Sequence, residues 1–245
     1  MSVAEPRRRP LWQFGLALSL GLTFTLVFAG LGVWQVQRLF WKLDLIQRVE
    51  TRVHADPVPW TDLLGLAAGG QEYRHVTVSG RFDHGAETLV QALTELGGGY
   101  WVLTPLVTPD HRTLLVNRGF VPPERADPAS RAEGQIAGET TLSGLARLSE
   151  PGGGFLRRND PEGNRWYSRD VAAIAKARDL GPVAPFFVDA DATPQPGGYP
   201  VGGLTVIAFR NTHLAYALTW FALAGLSAAG VWLLLRQGRR QPAGR

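Results

Sequence analysis

The chemistry this chain can do begins with one imidazole. His213 follows the polar Arg210-Asn211-Thr212 and opens an uncharged run, Leu214 to Leu235. At about 100° per residue, Tyr216, Ala217, Trp220, Ala224, Ser227 and Val231 fall within about 60° of it on one helical face. Two readings fit that spacing. The small residues can pack on another helix while His213 caps the run at a polar boundary. Alternatively, a flat apolar macrocycle can lie on the face between the two aromatics, with one imidazole nitrogen on its metal. An ionisable group this close to an apolar run is a functional candidate in either case.

Other chemistry is sparse. Arg118, just before Gly119, could bind a carboxylate or propionate, or serve in a structural ion pair. His54, His75, His84 and His111 have no partner at metal-type spacing and read as surface or strand histidines. There is no G-x-S-x-G, Walker A, G-x-G-x-x-G or H-E-x-x-H signature, so an enzyme is not expected. The chain has no cysteine, and Met1 is its only methionine. That excludes disulfides, thiolate zinc, covalent haem attachment through C-x-x-C-H and soft-ligand copper carriage.

The elements that must position His213 are apolar and long. Phe14 to Trp34 and Leu214 to Leu235 are both uncharged, each with the roughly 20 residues a helix needs to cross a bilayer core. Gly21, Thr25 and Ala29 recur at i, i+4 and i+8, a stripe that lets another helix approach. Arg7, Arg8 and Arg9 precede the first run; Arg236, Arg239, Arg240 and Arg245 follow the second. By the positive-inside rule both ends are cytoplasmic and the middle of the chain faces outward. Residues 38–210 carry 18 basic and 20 acidic side chains. The net charge of +4 is therefore a topology signal and calls for no nucleic acid. A cleaved signal peptide is disfavoured, since the run is long and Phe28-Ala29-Gly30 is a weak cleavage site.

The organisation expected is a basic tail over 1–13, a span over 14–36, an outer domain over 37–210, a second span over 213–235 and a basic tail over 236–245. Trp34 and Trp41 suit the interfacial belt, and Gln35, an amide at the membrane edge, wants a partner. The helical pattern of Leu39, Leu43, Ile46 and Val49 carries the first helix to about Arg52, where Asp56-Pro57-Val58-Pro59 breaks it. Beyond, Tyr73 to Phe82 alternates like a strand, with Val76, Val78 and Phe82 set on opposed phases, and Glu87 to Ala92 is its expected partner. Gly97-Gly98-Gly99 reads as a loop. Tyr100–Val107 and Arg112–Asn117 read as a hairpin around Pro109-Asp110. Glu124 to Gly138 reads as an exposed excursion, Thr140 to Leu148 as a strand and Pro151 to Gly154 as a flexible loop. Val171 to Arg178 reads as a short helix capped by Ser168 or Asp170. Phe186–Asp189 and Leu204–Phe209 read as strands flanking the turn-rich 194–203. The fold class is α+β: two transmembrane helices flanking one compact, mainly antiparallel β domain with one or two short helices.

Several blocks resemble a known family. Arg210-Asn211-Thr212-His213-Leu214-Ala215-Tyr216-Ala217-Leu218-Thr219-Trp220-Phe221 is similar to its N-N-H-L-Q-Y-A-L-T-W-F at the second span. Leu31-Gly32-Val33-Trp34-Gln35 with Arg38 looks like its first-span exit. Tyr73-Arg74-x-Val76, Gly80-x-Phe82, Gly99-Tyr100-x-Val102-x-Thr104-Pro105-Leu106, Val116-Asn117-Arg118-Gly119-Phe120-Val121-Pro122 and Trp166-Tyr167-x-Arg169-Asp170 are similar to its central blocks. The likeness runs in order from Leu31 to Phe221, and the family is the Surfeit-locus (Surf/Shy) family of haem-copper oxidase assembly factors.

The resemblance implies assistance in inserting haem a into the catalytic subunit of cytochrome c oxidase or a related quinol oxidase. It implies that subunit as a partner, and haem a synthase as a further one. By the same analogy His213 is the axial haem ligand, with Tyr216 and Trp220 on its helix and Trp34, Gln35 and Arg38 beside it. Thr212 stands where the family often has Asn and Ala215 where it often has Gln, so neither is expected to touch haem. No Arg/Ser-rich amphipathic leader is visible, which favours a bacterial plasma membrane over a mitochondrial one. A structural scaffold that docks the immature oxidase subunit without binding haem is the alternative.

Overall fold

The computed structural model describes residues 11–239 apart from 155 and 208. Residues 1–10 and 240–245, most of the two basic tails, lie outside the described residues. The chain forms two compact units, one comprising residues 1–47 and 208–245 and the other residues 48–207.

The first unit is a helix pair, the body of α1 (Leu11–Val53) with α4 (His213–Arg239). No proline interrupts residues 11–56, so α1 continues past its apolar part, and it ends one residue beyond the expected Arg52. Its packing stripe is built from small residues. A Cβ at Gly21 would meet the side chain of Val231, and one at Gly32 would lie 2.7 Å from the Phe221 ring. The Ser227 hydroxyl donates to the Gly21 carbonyl at 2.9 Å. Ala217, Ala224 and Val231 are buried on the matching face of α4. The remaining apolar side chains are largely bare, with Leu26 73% and Leu226 70% exposed. In water each such side chain would forgo about 1.5–3 kcal/mol of burial. Both helices are long and apolar enough to cross a membrane, and the protein buries little of either.

The second unit is β-rich. In chain order its strands are β1 (Val58–Pro59), β2 (His75–Phe82), β3 (Thr88–Thr94), β4 (Gly97–Val107), β5 (Thr113–Val121), β6 (Glu139–Leu148), β7 (Gly153–Gly154), β8 (Arg157–Arg158) and β9 (Val183–Ala190), with short helices α2 (Ala68–Gln71) and α3 (Val171–Ala177). Seven strands form one sheet in the order β1-β2-β6-β9-β5-β4-β3, and β2 also pairs with β4 through Arg81–Val107 and Phe82–Leu106. That extra pairing returns the sheet on itself and closes β2, β6, β9, β5 and β4 into a small barrel. The pairs β1–β2 and β5–β9 are parallel and the others antiparallel. β5 is buried along its whole length. Its Leu114 and Val116 enter a core with Val76, Val78, Leu106, Phe186 and Val188. Its Leu115 faces a second core with Phe187, Trp166 and Ile174 of α3.

The expected α+β architecture holds, and the hairpin around Pro109-Asp110 is β4–β5. Asp170 caps α3, accepting from the Ala173 amide at 3.1 Å. Several expectations need correcting. Val76, Val78 and Phe82 lie on one face, because even-numbered strand positions share a side. The partner of β2 is β6, while Thr88–Thr94 pairs with β4. Gly97-Gly98-Gly99 is strand, since at Gly99 a Cβ would strike the Val121 carbonyl and the Phe120 ring, so only glycine lets β5 come that close. Residues 124–138 are two 3-10 turns tied inward by Arg131, whose guanidinium makes a buried two-pronged pair with Glu87. Gly153–Gly154 pairs with Arg157–Arg158 as a tiny hairpin. Residues 204–207 and 209 are not strand.

Candidate functional site

His213 is the first residue of α4, and its backbone amide donates to the Asn211 side chain at 3.3 Å. Its Nδ1 lies 2.7 Å from Oε1 of Gln35, which is buried on α1. An amide oxygen only accepts, so in the neutral ring this bond places the proton on Nδ1 and leaves the lone pair on Nε2. Among the described residues Nε2 has no hydrogen-bond partner. This is the arrangement a metal-binding histidine uses: one nitrogen held by an acceptor, the other presented to the metal. It answers the question raised by Gln35, whose partner is the imidazole.

The other expected site residues are placed less compactly. Trp220 turns inward and stacks on Phe28 of α1, centroids 5.7 Å apart, with Phe28 in turn stacked on Phe24. Arg38 lies against Trp41, its Cζ 4.8 Å from the ring centroid. Trp34 and Tyr216 are exposed on α1 and α4. The structure therefore joins His213 to Gln35 and leaves Trp34, Tyr216 and Arg38 outside that contact. The small face below His213 packs on α1, so it is the helix seam and has no room for a macrocycle. The surface available to one is the outer side of the pair, where Trp34 and Tyr216 are exposed. Phe28 is not among the expected site residues; its place seven residues after Gly21 and three after Thr25, along their stripe, is the signal for it.

A second constellation lies in the β unit. Asp189, 3% exposed at the end of β9, accepts from Asn117 Nδ2 at 2.7 Å, Arg169 Nη1 at 3.0 Å, Arg147 Nη1 at 3.1 Å and Thr205 Oγ1 at 3.0 Å. Arg169 also holds Glu150, Nη2 to Oε1 at 2.5 Å, and its Cζ sits 4.7 Å from the Phe187 ring. Two arginines face two carboxylates, so the hub is balanced and structural in character. Blocks far apart in sequence meet here: Asn117, Arg169 and Asp189. Burial pushes the Glu150 carboxyl up, but the hydrogen bonds and charge of Arg169 outweigh it and hold the group below its ordinary 4.5. A carboxyl with a depressed folded pKa adds stability above its unfolded value and loses it as pH falls through the folded one. The unfolding midpoint in urea is therefore expected to drop below about pH 4.5, and Glu150→Gln is expected to flatten part of that drop.

The remaining histidines have ordinary partners. His54 pairs with Glu50, His75 Nε2 lies 2.7 Å from Asp191, His84 Nε2 lies 2.9 Å from the Ile136 carbonyl, and His111 sits in the turn after β4 with positive φ. Among the described residues no three His, Cys, Asp or Glu side chains form a metal-binding group. Arg118 departs from the ion-pair reading. It is 2% exposed, donates to the Gly134 carbonyl and to Gln195 Oε1 at 3.4 Å, and has no ion-pair partner among the described residues.

These features define a class: a chain with two apolar helices and a closed β unit, in which a histidine–glutamine pair joins the two helices by their side chains. Comparison with known proteins narrows it. Residues 22–225 match the model of the SURF1 family. The chain is 42% identical over 233 residues to human Surfeit locus protein 1, covering 88% of this chain and 75% of that protein. It is 40% identical over 232 residues to the rat Surfeit locus protein 1, with 88% and 73% covered. A Drosophila melanogaster SURF1-like protein is 36% identical over 228 residues, with 85% and 73% covered. The chain belongs to the SURF1 family, whose members are known as cytochrome c oxidase assembly factors.

Proposed function

We propose that this chain receives haem a in the membrane and passes it to the catalytic subunit of a haem-copper oxidase. The observation that carries the reading is the 2.7 Å contact between His213 Nδ1 and Gln35 Oε1, which orients Nε2 as a free axial donor. His213 supplies the iron-binding nitrogen. Gln35 fixes the tautomer and the ring plane. Tyr216 and Trp34 add exposed ring surface on the same two helices, against which an apolar macrocycle can rest in lipid. One weak axial bond with apolar contact suits a carrier, because release then requires only that the oxidase site bind the same cargo more tightly. Haem a synthase is the natural donor. The arginines flanking the spans favour both termini on the cytoplasmic side and residues 37–210 outside, which in a bacterial plasma membrane is the periplasm.

A scaffolding role is favoured by a different observation. Leu93, Leu96 and Val206 are 86%, 53% and 81% exposed, and Leu93 and Val206 line one concavity of about 290 Å³ beside Arg147 and Arg169. Such bare apolar side chains suit the docking of another protein surface. The two roles are compatible, and one experiment separates them. Wild type purified from cells making haem a should carry a haem spectrum that His213→Ala lacks, while both variants retain the oxidase subunit. Equal haem in the two, or none in either, rules out the ligand role and leaves the scaffold.

A further inference from the structure

Arg118 is the most deeply buried cation of the β unit and the least neutralised. Its guanidinium donates through Nη2 to the Gly134 carbonyl and to Gln195 Oε1, and its Cζ lies 4.9 Å from the Phe82 ring. Nη1 is buried and has no hydrogen-bond partner among the described residues. Glu87, the carboxylate that acts on it electrostatically, is already engaged by Arg131. The result is a full positive charge out of water with only carbonyl, amide and ring partners, a costly arrangement unless something completes it.

Arg118 lines a cavity of about 280 Å³ whose wall also carries Phe82, Thr141, Ser143, Asp191 and Gln195. A water's share of liquid volume is about 30 Å³, so the space admits a small ligand group with some water. Asp191 is engaged by His75 at 2.7 Å and makes no hydrogen bond to Arg118.

We propose that this cavity is a binding site for a single carboxylate, which pairs with the Arg118 guanidinium. A carboxylate is a monoanion that only accepts hydrogen bonds, which suits one uncompensated guanidinium. A dianion such as phosphate is disfavoured, because only one cation is unpaired and the Asp191 carboxylate stands in the same wall. Burial lowers the Arg118 pKa to about 10, still well above neutrality, so the group stays charged and attracts an anion. The carboxylate can come from a free small acid or from a polypeptide chain end, and both present the same group.

The test is titration of the full-length protein in detergent with acetate, with acetamide as the uncharged control, read by calorimetry and by thermal shift. In parallel arms an N-acetylated tripeptide with a free C-terminus is compared with its amidated form. Saturable binding of acetate or of the free-acid peptide, with the uncharged analogues inert, is expected, and the tighter of the two identifies the source. Arg118→Met is expected to weaken binding at least tenfold. Since that buried change can also unfold the domain, Gln195→Glu gives a second measurement. It places the chain's own carboxylate next to the guanidinium, and is expected to raise the melting temperature while abolishing binding. No saturable binding of either carboxylate, or binding that Gln195→Glu leaves unchanged, overturns the proposal.

Discussion

Asp189→Ala is expected to cost the β unit about 3–5 kcal/mol, the usual loss when one partner of a buried ion pair is removed. A domain's whole stability is about 5–15 kcal/mol, so much of it would go. Four donors converge on this carboxylate, from β5, β6, the segment before α3 and residue 205. Arg169 would keep Glu150, but Arg147 would be left 16% exposed with its Nε already lacking a partner. Asp189→Asn keeps the shape and one acceptor oxygen, and should cost less. Arg165 and Asp160 pair at 2.5 Å with side chains 69% and 36% exposed, and breaking that solvated pair should cost far less. Thermal unfolding of the detergent-solubilised chain, with limited proteolysis of the β unit, gives the ranking. A variant Asp189→Ala as stable as the Asp160→Ala control would show that the hub is not what holds β5, β6 and β9 together.

That hub marks where the sequence was hard to read. The two apolar helices, the reach of α1 past Leu45 and the capping of α3 by Asp170 follow from hydropathy, helical period and local hydrogen bonding, all confined to a few neighbouring residues. The β4–β5 hairpin is equally local. Partners far apart leave no such trace. Alternation along β2 tells which residues share a face but not that β6, some 60 residues on, lies alongside, nor that Phe82 reaches Leu106 to close the barrel. Arg131 and Glu87 sit in stretches that look solvated, because a buried pair has the same composition as an exposed one. Gly99 resembles a loop residue, and the reason it is glycine lies on the neighbouring strand. At the helix pair, the periodicity around His213 was correct, yet it could not tell a seam from a binding face. The small residues turned out to be the seam.

The contact that survives this sorting is between His213 and Gln35, and Gln35→Leu isolates it. Leucine fills similar volume on α1 but accepts no hydrogen bond, so the imidazole loses its anchor and its preference for the Nδ1 proton. Removing the acceptor behind a metal-binding histidine typically costs 10–100-fold in affinity. Gln35→Leu is expected to weaken haem a binding by that factor, about 1.4–2.7 kcal/mol, without lowering the melting temperature of the β unit. Gln35→Glu keeps an acceptor at the same place, and a carboxylate there makes the ring a stronger donor, so binding should be retained or tightened. The two helices allow a stricter check. If Gln35 acts through His213, then Gln35→Leu added to His213→Ala should change nothing further, because the bond it would remove is already gone. Independent, additive losses would instead place Gln35 in direct contact with the macrocycle. Binding by Gln35→Leu within twofold of wild type would mean that the 2.7 Å bond only ties α1 to α4.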